Sequence, residues 1–114
     1  MNTDRRKELK HAYKTKPVVG GVYCIRCSGN QRLYIQPTVD MEGIRNRFQF
    51  AVSTGTAPDP SLRGEWETYG IGSFTFTVLD ELKKSETQTQ KAFREDINAL
   101  YEIWLEKAQK GELA

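Results

Sequence analysis

Apolar and polar positions alternate in three short runs of this chain and recur at helical spacing in most of the rest. GGVYCIRC (20–27) and QRLYIQP (31–37) are rich in β-branched and aromatic residues and flank the polar Ser28-Gly29-Asn30, which predicts two strands joined by a turn. Asp40 stands where an N-cap would open a helix over about 41–52, with Met41, Ile44, Phe48, Ala51 and Val52 at helical spacing. STGTAPDP is a loop. Ser61 lies near the start of a second short helix whose Leu62, Trp66 and Tyr69 face one way before Gly70 ends it. SFTFTVL puts Phe74, Phe76 and Val78 on one face and Thr75, Thr77 and Leu79 on the other, a third strand. Phe93, Ile97, Leu100, Trp104 and Ala108 then mark a long helix over roughly 86–109. Residues 3–15 predict a further helix that ends before Lys16-Pro17. The order is that of an α+β domain.

Parity sharpens the hairpin. A two-residue loop at Ser28-Gly29 sets Tyr23 opposite Tyr34, and one at Gly29-Asn30 sets Ile25 opposite Tyr34. In either register both tyrosines point to one side of the sheet, because side chains alternate with period two. Cys24 and Cys27, three apart on one strand, point to opposite faces, so a disulfide between them would be strained. A zinc site is short of ligands, since there is no third cysteine and the one histidine, His11, is far away. Both thiols are therefore expected to be packing residues.

At 114 residues the chain has the length of a single domain, and 38% apolar with 28% charged residues is a globular composition. No apolar run is long enough to span a membrane, and the first residues lack the apolar segment of a signal peptide, so the cytoplasm is the expected location. Net charge is only +2. It is unevenly spread: Arg5, Arg6, Lys7, Lys10, Lys14 and Lys16 face only Asp4 and Glu8, whereas the chain from Asp80 onward is net acidic. A basic N-terminal extension over 1–17, ahead of a domain over 18–110, permits contact with nucleic acid. There is no Gly-rich phosphate loop and no histidine-based triad. Asp80-Glu81 and Glu95-Asp96 are expected to be solvated surface pairs.

GVY, ten residues, YIQ, a helix with Arg45 and Arg47, then WETYG, FTFTVLDEL and a last helix with YEIWLEK together resemble the GIY-YIG nuclease domain, over roughly residues 18–108. The resemblance implies a small three-stranded antiparallel sheet flanked by helices, here with an extra N-terminal helix. It also implies hydrolysis of DNA phosphodiester bonds with a divalent metal, Mg2+ or Mn2+. Tyr23 would help deprotonate the attacking water and Tyr34 would orient the site, while Arg45 or Arg47 would hold the phosphate charge. Several positions depart from the family pattern. Ile44 stands where the arginine is expected, and Phe48 and Gln49 stand near the place of a histidine. Tyr101 stands where a metal-binding glutamate is expected, with Glu102 beside it pointing away from the apolar stripe, and Gln36 replaces a glycine. Two readings follow: a metal-dependent DNA endonuclease, or a catalytically degenerate domain that binds nucleic acid or a protein without cutting.

Overall fold

The computed structural model describes residues 17–111. The helix predicted over 3–15 and His11 lie outside the described residues. The first strand, β1 (Val19–Cys27), runs antiparallel to β2 (Leu33–Thr38). Helix α1 follows (Met41–Thr54), then a 3-10 turn at Pro60–Leu62 leading into α2 (Arg63–Tyr69). Strand β3 (Phe74–Lys83) and the long helix α3 (Gln90–Gln109) complete the described chain. The sheet order is β2-β1-β3, with both pairings antiparallel.

Local chemistry accounts for the element ends. The Gly43 N–H donates to the Asp40 carboxylate at 3.0 Å, capping α1. Gly55, at φ +75°, closes the same helix in the left-handed conformation, its N–H donating to Ala51 O. Helix α3 begins at Gln90, later than its periodicity suggests, because the Thr89 hydroxyl accepts from the Ala92 N–H and Ser85–Gln88 are spent in a turn. Gly20 and Gly21 permit close strand approach. A side chain on Gly20 would meet Thr38 O at 2.5 Å, and one on Gly21, at φ +149°, would fall on the Asp80 carbonyl oxygen.

Two cores sandwich the sheet. On one face Tyr23, Ile25, Cys27 and Phe74 pack with Met41 and Ala51 of α1, and with Leu62 and Trp66. Trp66 lies over Phe74 with ring centroids 4.6 Å apart, and its indole N–H donates to Gly55 O at 3.1 Å. On the other face Val22, Cys24 and Ile35 meet Leu100, Tyr101, Trp104, Leu105 and Ala108 of α3. The cysteines thus occupy opposite faces as free, buried thiols. Tyr69 and Val52 fall outside this packing, at 40% and 39% exposure. The Tyr69 ring instead sits over Gly29 of the hairpin turn.

The expectation of a solvated Asp80-Glu81 pair holds for the exposed Glu81 but not for Asp80, because the sheet carries a bulge. Val22 pairs with Asp80 but Tyr23 with Val78, so Leu79 is an extra residue. Strict alternation from Phe74 through Val78 would turn Asp80 toward α1; the bulge reverses it. Asp80 instead accepts from the Trp104 indole N–H at 3.2 Å on the α3 side. Glu81 pairs with Arg45 of α1 at 3.6 Å, on the other side.

Candidate active site

The hairpin takes the second of the two registers that parity allows. Ile25 opposes Tyr34, and Tyr23 opposes Gln36. Cys27 N–H donates to Arg32 O around the four residues 28–31, and Gln31 takes φ +62°. Both tyrosines consequently face the α1 side. Tyr23 is 7% exposed and stacks on Phe76 at 5.5 Å, while Tyr34 is half-buried at the edge strand.

Between them lies a hollow of about 20 Å3 lined by Tyr23, Tyr34, Ile44, Arg47, Pro58 and Asp59. That is room for about one water molecule. Ile44 therefore does reach the site, as a wall, and the guanidinium comes from Arg47, one helical turn further along α1. The structure separates the two candidate arginines. Arg45 lies at a broader depression of about 740 Å3 shared with Val18, Asp40, Glu42 and Glu81. Its carboxylate surroundings suit a cation and not a phosphate.

Asp59 is the site residue that the sequence reading passed over. It caps the 3-10 turn, its carboxylate accepting from the Ser61 N–H at 2.9 Å, with Pro60 in the first position of the turn. The same carboxylate stands beside Tyr34 at the hollow and raises the pKa of its phenol. Asp-Pro followed by Ser is a turn-opening signal, and the link to Tyr34 was not legible because it joins residues that meet only in the folded chain.

The electrostatics of the hollow follow from burial and from this carboxylate. Burial, then the neighbouring Tyr34 and Asp59, push Tyr23 up to about 12, against a smaller opposing pull from Arg47. Burial also raises Tyr34, followed by the adjacent Asp59 carboxylate, while the Ser61 hydroxyl pulls the other way. The Ser61 backbone N–H holds Asp59 below the usual carboxylate range, helped by the Ser61 hydroxyl, Tyr34 and Arg47. At neutral pH the hollow therefore holds two neutral phenols, one carboxylate and one guanidinium.

The last helix supplies no carboxylate to this arrangement. Tyr101 is half-buried in the α3 face and close enough to contribute to the upward shift of both tyrosines, whereas Glu102 is exposed. Among the described residues no group of three metal-ligating side chains comes together. Asp59 is the one hard anionic donor lining the hollow. The Ser61 N–H occupies one of its roughly four lone-pair sites. Magnesium is commonly held by one or two carboxylates, with water and phosphate oxygens completing the shell, so the fit rests on a single protein ligand.

This arrangement of a three-stranded antiparallel sheet and flanking helices is the GIY-YIG catalytic-domain fold. A mutant of the catalytic domain of the intron endonuclease I-TevI shares it at a TM-score of 0.54, with 18% sequence identity, covering 78% of this chain and 82% of that domain. The catalytic domain of the homing endonuclease I-TevI shares it at a TM-score of 0.52 with 17% identity, covering 77% of this chain and 86% of that one. No family model matches the sequence. No curated protein matches it either. No described helix is long and apolar enough to cross a membrane.

Proposed function

We propose that this chain is a GIY-YIG-type nuclease that engages a DNA phosphodiester at the Tyr23–Tyr34–Arg47 hollow and hydrolyses it. The observation that carries this reading is the convergence of two tyrosines, an arginine and a carboxylate on a space of one water molecule. Hydrolysis of a phosphodiester needs an oriented water and positive charge on the non-bridging oxygens as the transition state forms. Arg47 supplies that charge from the protein. Tyr23 Oη accepts a hydrogen bond from the water and aims its oxygen at phosphorus. The proton passes to Tyr23 Oη as Tyr23 gives its own to solvent, a release that its raised pKa disfavours at neutral pH and that becomes easier as the solution turns alkaline. Tyr34, beside Asp59, closes the far side of the hollow. Magnesium or manganese, when bound, would supply positive charge at the departing oxygen, with Asp59 as the protein residue that would hold it.

One observation favours a second reading, a domain that binds DNA and does not cut. Tyr101 occupies the place on the last helix where the family resemblance puts the metal-binding glutamate, and no described carboxylate replaces it from α3. The two readings separate on labelled DNA with magnesium or manganese. Cleavage by the wild type that Tyr23→Phe abolishes supports the nuclease. Salt-dependent binding with no cleavage, converted to cleavage by Tyr101→Glu, supports the second reading.

A further inference from the structure

Arg47 and Pro58 border two spaces at once. Besides the water-sized hollow, they line a cleft of about 300 Å3 with Phe50, Ala57, Pro60 and Arg63. Phe50 follows Arg47 by three residues on α1, so the two side chains are neighbours on the helix surface. Its ring is 65% exposed, the most exposed large apolar side chain among the described residues. Scattered surface apolar residues need no explanation, but this one lies in a concavity walled by two prolines and flanked by two guanidinium groups. Neither Arg47 nor Arg63 forms an ion pair among the described residues.

An exposed aromatic face between two arginines matches one unit of a nucleic acid strand: a base to stack and a phosphate on either side of it. The base must be free of its neighbours, because in a duplex both of its faces are already covered. Resting on the reading of the hollow as a phosphodiester site, we propose that this cleft receives the nucleotide next to the scissile phosphate. Its base stacks on Phe50, and its outer phosphate lies on Arg63. The substrate is then single-stranded or locally opened DNA, not continuous duplex.

The test is equilibrium binding of the full chain, without metal, to a single-stranded oligonucleotide and to the matching duplex over a range of salt concentrations. The expected result is tighter binding to the single strand and a loss of about tenfold in affinity on Phe50→Ala, with Phe50→Trp retaining affinity. Arg63→Ala is expected to reduce the salt slope by about 0.7, the contribution of one single-strand phosphate contact. Because Phe50 is exposed, an unchanged thermal transition in Phe50→Ala separates loss of binding from loss of fold. Duplex bound as tightly as single strand, or Phe50→Ala binding like wild type while Arg47→Ala binds weakly, overturns the cleft and leaves the hollow standing. No DNA binding at all overturns both.

Discussion

Tyr34 of the edge strand and Asp59 of the turn that opens α2 line the same hollow, where the carboxylate raises the pKa of the phenol. This places an ionised group beside both tyrosines in the wall of the hollow. Asp59→Ala removes this charge and the cap on Ser61 together. We predict a loss of about 1 kcal/mol in denaturant unfolding, the usual worth of a cap. Tyr34 should also titrate lower, since the Asp59 contributions to its upward shift disappear. Unchanged tyrosine absorbance titration would show that Asp59 does not act on Tyr34 in solution. Asp59 also has a pH signature. Its folded pKa is lowered, so its stabilisation is present above the ordinary carboxylate value and is lost as pH falls through the lowered one.

Tyr23 works in the opposite direction. Its folded pKa is raised from 10.0 to about 12, so the folded state holds the proton more tightly than the unfolded chain. The stability this represents is fully present below pH 10 and is lost as pH rises from there toward 12. Tyr23→Phe should flatten that alkaline decline in thermal unfolding. The same shift predicts a cleavage rate that is still climbing at the alkaline end of the folded range, whereas a rate that levels off near neutrality would exclude Tyr23 as the group that loses the proton.

The bulge at Leu79 makes neighbouring acids unequal. Asp80→Ala leaves the part-buried Trp104 indole N–H without its partner, and should cost about 1–3 kcal/mol. Glu81→Gln removes only an exposed pair with Arg45, and should cost about 0–1 kcal/mol. Urea unfolding of the two variants checks this. Equal costs, or a larger one for Glu81, would mean that the strand keeps straight alternation there.

Why some of this was legible in the sequence, and some was not, follows from the range over which each signal acts. Periodicity is local, and it located the helices of Met41, Ile44 and Phe48 and of Phe93, Ile97 and Trp104 correctly. Parity is nearly as local, and it put Tyr23 and Tyr34 on one face before any register was known. The bulge is different, since nothing in FTFTVLDELK marks Leu79 as the extra residue; it is set by pairing with Gly21 and Val22 of another strand. The choice between Arg45 and Arg47 was open for a similar reason. Both flank the same apolar stripe, and only the packing of α1 against the sheet sends one to the tyrosines and the other to Glu81. Asp59 was hidden in a loop whose path is fixed by Trp66 and Leu62 in the core.

The central claim is that Arg47, and not Arg45, serves the phosphate at the tyrosine hollow. Its most direct test is the rate of supercoiled plasmid nicking with magnesium or manganese by wild type, Arg47→Ala and Arg45→Ala, all confirmed as folded. The account predicts nicking by the wild type, a loss of about 10²–10³-fold in Arg47→Ala, as for removal of a charge-stabilising donor, and little change in Arg45→Ala. A loss confined to Arg45→Ala, with Arg47→Ala cutting like the wild type, would contradict it.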